Sequence, residues 1–112
     1  MTVKTSELAD YLSGEWVQPV FRDQEIAGGY TSALLSDAMG KAVDEGILIT
    51  IQAHKNTVAV AALKDLRAII ICGNRTVPAD MIQAAKDEGI GIFRTPENQF
   101  TVSGKLYLLL NN

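Results

Sequence analysis

Ile47-Leu48-Ile49-Thr50-Ile51, then Asn56-Thr57-Val58-Ala59-Val60-Ala61-Ala62-Leu63-Lys64-Asp65-Leu66, then Ala68-Ile69-Ile70-Ile71-Cys72 is the stretch on which the fold turns. The two flanking runs are almost unbroken in aliphatic residues. A strand with one wet face alternates apolar and polar residues, whereas a strand covered on both faces does not, and strands of that second kind belong to parallel sheets. Two adjacent parallel strands need a long crossover between them, of one hand. The valine-alanine alternation after Asn56 is by itself also a strand signal, but the crossover requirement makes Thr57 to Leu66 a helix.

The same reading extends in both directions. Leu34, Leu35, Ala38, Met39, Ala42 and Val43 recur at helical period behind Thr31-Ser32, with Gly28-Gly29 breaking the chain before them and Gly46 closing the helix. Trp16 to Phe21 and Glu25-Ile26-Ala27 read as extended, an edge strand or hairpin with Pro19 at an edge position. Thr5 to Leu12 is a short opening helix stopped by Gly14. Towards the C-terminus, Pro78, Asp80 and Gly89 delimit a helix, and Gly91-Ile92-Phe93 is a short last strand. Thr95 caps a final helix with Pro96 at its first position. The expected fold is α/β: a mostly parallel open sheet with helices packed against it, in one domain over residues 1–112.

Composition narrows the class. The chain has 112 residues, 47% apolar and 21% charged, enough to bury a core without metal or disulfides. The only cysteine, Cys72, cannot form an internal bridge, which makes a reducing cytoplasm the expected compartment. Glu7 precedes any apolar run, against a secretory signal. The longest apolar runs fall far short of the roughly 20 residues that span a bilayer, so no membrane is expected. Net charge is −3 and the lysines and arginines are scattered, which argues against nucleic acid.

In open α/β sheets, ligands bind beyond the carboxyl ends of the strands, where loops lead into helix N-termini. The loops in question are Gly28-Gly29-Tyr30-Thr31-Ser32, Gln52-Ala53-His54-Lys55-Asn56, Gly73-Asn74-Arg75-Thr76 and Arg94-Thr95-Pro96. Each alone is accounted for by turn glycines, cap hydroxyls and solvated cations. Their convergence on one sheet edge points to an anion site. There, Gly28 and Gly29 amides and the Thr31 and Ser32 hydroxyls would hold phosphate oxygens. Lys55 and Arg75 would neutralise charge, Tyr30 or His54 would stack on a base, and Asn56 and Asn74 would line the site.

Enzyme signatures are missing. No GxxxxGK is present, and Gly89-Ile90-Gly91 lacks a third glycine and precedes a strand. A phosphatase-type cysteine at Cys72 needs an arginine at position 78, which is Pro78. His54 is the only histidine, so no multi-histidine metal site is available, and neither metal nor cofactor is expected. A Cys72/His54 pair is the one enzymatic constellation left open. The segments Val58 to Leu63 and Leu106 to Leu110 are apolar on every side, more than one sheet face requires. Burial or contact with another subunit would each explain them, the second being favoured.

The runs Ile26 to Gly40, Ile49 to Val60 and Ile71 to Arg75 resemble the DRTGG domain family over essentially the whole chain, most of all its small standalone members in anaerobic bacteria. The family otherwise accompanies phosphotransacetylases and CBS-domain pyrophosphatases, next to modules that bind adenine nucleotides. Its fold is similar to the N-terminal domain of HPr kinase, without the phosphate-binding loop. In this chain Asn74 stands where the family name has aspartate, and no Gly-Gly pair follows Thr76, so no role requiring a carboxylate there carries over. The resemblance implies a regulatory, self-associating class. The leading expectation is a non-catalytic homodimeric regulatory or ligand-sensing domain that binds an adenine nucleotide or phosphorylated metabolite. The alternatives are a pure dimerisation module for a partner enzyme and a small cysteine-dependent enzyme. For the dimer contact, the expectation is the Thr57 to Leu66 helix or the C-terminal helix with Leu106, Tyr107 and Leu109.

Overall fold

A computed structural model describes residues 2–111. A 3₁₀ turn, Thr5–Glu7, runs into α1 (Leu8–Tyr11), followed by β1 (Glu15–Gln18) and β2 (Gly29–Thr31). Strands and helices then alternate: α2 (Leu35–Lys41), β3 (Ile47–Thr50), α3 (Lys55–Leu63), β4 (Ala68–Ile71), α4 (Ala79–Glu88), β5 (Gly91–Arg94) and α5 (Gln99–Leu110). The sheet is five-stranded in the order β1-β5-β4-β3-β2. β2, β3, β4 and β5 run parallel to one another, and β1 pairs antiparallel with β5 at one edge.

β3 and β4 are buried at every position, as their unbroken aliphatic runs require. Period-two alternation divides their side chains between two cores. Leu48, Ile69, Ile71 and Ile92 meet Ala38 and Ala42 near α2, Val58, Val60 and Ala61 of α3, and Met81 and Ala85 of α4. On the opposite face Ile47, Ile49, Ile70, Cys72 and Phe93 meet Leu8 and Leu12 near α1 and Val102 and Leu106 of α5. Because the parallel strands follow one another in space as in sequence, the crossover rule places α2, α3 and α4 on one face. The short N-terminal helix and α5 cover the other.

The ambiguous segment after Asn56 is a helix, and its all-round apolarity has a simple cause. α3 lies between α2 and α4 on top of the sheet, so Val58, Val60 and Ala61 are buried inside this chain. Only Leu63, 68% exposed, faces outward as a large apolar residue. Leu106 likewise is core, at 1% exposure, and not a contact residue.

Several local expectations are corrected. Gly28 to Ser32 is not a loop entering a helix: Gly29–Thr31 is the edge strand β2, with the Ile47 N–H donating to the Gly28 carbonyl and the Ser32 N–H to the Ile49 carbonyl. Ladder bonding to β3 and the strand-favouring Tyr30-Thr31 pair outweigh the weak strand preference of glycine. The helix behind it covers only Leu35–Lys41, because the chain turns extended at Ala42, so Leu34, Met39 and Val43 stay exposed. Nor does Thr95 cap α5. Its hydroxyl accepts the Glu97 N–H in a separate turn through Pro96, and Asn98 is the cap, its side chain accepting the Thr101 N–H at 2.8 Å. At the N-terminal side, β1 is the expected edge strand, bulged between Trp16 and Gln18, but Glu25 makes only a single bridge with Lys4 and no hairpin forms.

Gly46, five residues past α2 and buried, fits β3 against β2. A Cβ there would lie 2.7 Å from the Gly28 carbonyl oxygen and 2.8 Å from that of Val43, both backbone and unable to yield cheaply. Gly46→Ala is expected to cost about 1–3 kcal/mol in urea unfolding. Gly40→Ala, in α2 with nothing within 4 Å, is expected to be neutral or to stabilise by up to about 1 kcal/mol. Equal midpoints for the two variants would contradict this packing.

Candidate functional site

Ligand crevices in open sheets form where neighbouring strands send their following loops to opposite faces. Here β4 leads to α4 on one face and β5 leads to α5 on the other, so the crevice position lies between Cys72-Gly73-Asn74-Arg75 and Arg94-Thr95-Pro96-Glu97. The chain has filled it with its own bonds. The Gly73 N–H donates to the Glu97 carbonyl and the Asn74 N–H to the Thr95 carbonyl, each at 2.9 Å. The Arg94 guanidinium donates to the Arg75 carbonyl from Nε at 2.8 Å and to the Asn74 carbonyl from a terminal nitrogen at 2.9 Å. Gly73 and Asn74 both take positive φ, 72° and 57°, a turn that asparagine tolerates well. That backbone requirement suffices to explain the residue at 74.

The other predicted site residues divide into groups. Gly28 and Gly29 lie beside Ile47 at the amino end of β2, a strand's length from Ser32, and cannot join a site at the carboxyl ends. With Thr31, whose hydroxyl is 2.6 Å from that of Ser103, they line a groove of about 300 Å³ against Leu106 and Tyr107 of α5. Tyr30 points to the opposite face. Its hydroxyl donates to the Asp37 carboxylate at 2.6 Å, tying β2 to α2, and the ring is half-buried. Ser32 closes a turn with Leu34. His54 is the N-cap of α3, its Nδ1 accepting the Asn56 N–H at 3.0 Å, a task that needs an unprotonated Nδ1.

What converges at the carboxyl edge is therefore His54, Lys55, Asn56, Asn74 and Arg75, on the loops after the neighbouring strands β3 and β4. All five are exposed, and neither Lys55 nor Arg75 forms an ion pair among the described residues. Sequence reasoning missed Glu97. Its carboxylate accepts the Ser13 N–H at 3.0 Å and is paired with Lys105, clamping the start of β1 to α5. The Lys105 hydrogen bond, foremost, holds this carboxyl below its ordinary range. No local signal marks such a residue, because its partners are distant in the chain.

Cys72 is fully buried, and desolvation, with the Glu97 charge adding to it, pushes its thiol up to about 11. It is a core side chain beside Ile70 and Phe93. Among the described residues no cluster of His, Cys, Asp and Glu suits a metal ion, and no helix is long and apolar enough to cross a membrane.

No family model and no curated protein matches this chain. Among solved structures, it is similar to the CBS and DRTGG domains of the regulatory region of Clostridium perfringens pyrophosphatase, complexed with the activator diadenosine tetraphosphate. The TM-score is 0.69 at 21% identity, covering 91% of this chain and 45% of that one. At that identity the likeness establishes a shared fold: an α/β domain of the kind found in that regulatory region.

Two outcomes follow from the site chemistry. A thiol reagent is expected to modify Cys72 only as fast as the protein unfolds; immediate labelling of the native protein would contradict its burial. The Tyr30–Asp37 bond, foremost, raises the pKa of Tyr30 and lowers that of Asp37. The depressed Asp37 value gives stability that is present above its unfolded pKa and lost as pH falls through the folded one. The raised Tyr30 value gives stability that is present below its unfolded pKa and lost as pH rises through the folded one. Tyr30→Phe is expected to shrink both limbs, read as urea midpoints across pH, the buried Cys72 thiol keeping part of the alkaline one; unchanged limbs would mean the bond is not populated.

Proposed function

We propose that this chain is a non-catalytic regulatory domain of the DRTGG type that works by self-association, a single such domain over residues 1–112. One observation carries this reading: the polar groups nearest the crevice are spent on holding the fold, while large apolar side chains are left uncovered. Phe100, Leu108 and Tyr107 of α5 are 87%, 73% and 68% exposed. Large apolar side chains left exposed together on one helix are what an interaction site presents. The fold shared with a pyrophosphatase regulatory region and the resemblance of the Ile26 to Gly40 run to the DRTGG family support the class. In this role the domain would join copies of itself and position or modulate a partner enzyme. Sedimentation equilibrium at micromolar concentration is expected to give twice the 12.1 kDa chain mass. One chain's mass throughout would overturn the reading.

A second reading, nucleotide sensing, is favoured by Lys55 and Arg75, exposed and without ion pairs on adjacent strand-end loops. The diadenosine tetraphosphate named with the similar regulatory region supports it. Diadenosine tetraphosphate or an adenine mononucleotide, at 100 times its dissociation constant, is expected to stabilise the protein by about 2.7 kcal/mol without being turned over. Lys55→Ala and Arg75→Ala are each expected to weaken that binding by about 1–3 kcal/mol. No thermal shift with any of these nucleotides would leave association as the sole function.

A further inference from the structure

The outer face of α5 has a pattern of its own. At 3.6 residues per turn, Gly104 lies diametrically opposite the buried Val102 and Leu106 seam. Phe100 stands four positions before it and Leu108 four after; Thr101 stands three before and Tyr107 three after. All four are exposed, and at Gly104 there is nothing within 4 Å of where a Cβ would be. Bulky groups thus flank a bare backbone point symmetrically, about 6 Å to either side along the axis.

Resting on the self-association reading, we infer that α5 is the dimer contact: two copies cross antiparallel on a two-fold axis at Gly104. An isologous contact brings a residue some positions before the axis level with the residue equally far beyond it in the other copy. Phe100 of each copy then lies level with Tyr107 and Leu108 of its partner, and the glycines let the two backbones approach closely. Charge offers no obstacle, since Lys105 is the only charged residue of α5 and is paired with Glu97 of its own chain. Tyr11, beside Leu108 and Leu109 in a groove of about 390 Å³, extends the apolar surface off the helix. Phe100, Tyr107, Leu108 and Tyr11 together offer on the order of 500 Å², more than half of the roughly 800 Å² per partner of a stable interface. The other large exposed apolar residues, Leu34 and Met39 at and within α2, have no such symmetry, and Val43 lies in the groove beside Tyr107.

The test is sedimentation of three proteins: the unaltered chain, Gly104→Leu and Leu34→Ser. In Gly104→Leu the new side chain enters open space in the single chain and replaces a poor helix former, so the thermal midpoint at low concentration is expected to hold or rise. Its dimerisation is expected to weaken at least tenfold, with Leu34→Ser unchanged. Gly104→Leu dimerising like the unaltered chain, or Leu34→Ser dissociating in its place, would overturn the α5 contact while leaving self-association standing. An unaltered chain that is monomeric throughout would remove both. The antiparallel register has its own readout: Gly104→Cys treated with oxidised glutathione, with Cys72 buried out of reach, is expected to form a disulfide-linked dimer, the glutathione being reduced to its thiol. A thiol that stays reduced in a dimer would overturn the two-fold at this residue.

Discussion

Burial of β3 and β4 on both faces is the constraint on which the rest of the structure depends. Eight consecutive-strand positions, Ile47–Thr50 and Ala68–Ile71, are all buried. Covering one face falls to the crossover helices, which the hand of the crossover keeps together. The other face has to be covered by whatever chain remains, and here that is the short N-terminal helix and α5. Phe93, with no exposed surface, anchors this second core, its ring edge-on to Trp16 of β1 at 5.2 Å.

The same arrangement explains why the sheet's carboxyl edge is poor in free chemistry. Because α5 must cross to the far face directly after β5, the loops after β4 and β5 diverge, and an open crevice between them would expose the ends of the most buried strands. Gly73, Asn74, Arg94 and Glu97 close it with backbone and guanidinium bonds. Arg94, which from its position belongs among the cations of an anion site, has become a structural strut. Lys55 and Arg75 are the cations left exposed at this edge.

A helix recruited to cover a sheet needs one apolar stripe, and α5 has apolar residues beyond it. Val102 and Leu106 supply the stripe, and Leu109 and Leu110 are partly buried beside it. Phe100, Tyr107 and Leu108 add nothing to the single chain's core. Solvent-facing apolar groups of this size are costly to solubility unless something covers them. Their symmetric placement about a glycine at the helix's outermost point is economically explained by a second copy of the same helix.

Hydrophobic periodicity, a local property, determined the central strands by itself, through the unbroken runs of β3 and β4, and the crossover rule then gave α3 against a misleading alternation. The cap signals at Pro78 and Gly89 likewise fixed α4, since turn chemistry acts within a few residues. Tertiary structure alone decided that Gly28-Gly29 begins an edge strand, because its ladder bonds come from β3 and not from its neighbours in sequence. It alone decided that the apolar surplus of α3 is core while that of α5 is surface, since a helix between two others is covered on three sides and one at the rim of a sheet on fewer. The candidate site was legible only in part for the same reason. Residue types at strand ends can be listed from sequence, but whether Arg94, His54 or Tyr30 is available depends on which distant carbonyl, amide or carboxylate the fold brings within hydrogen-bond reach.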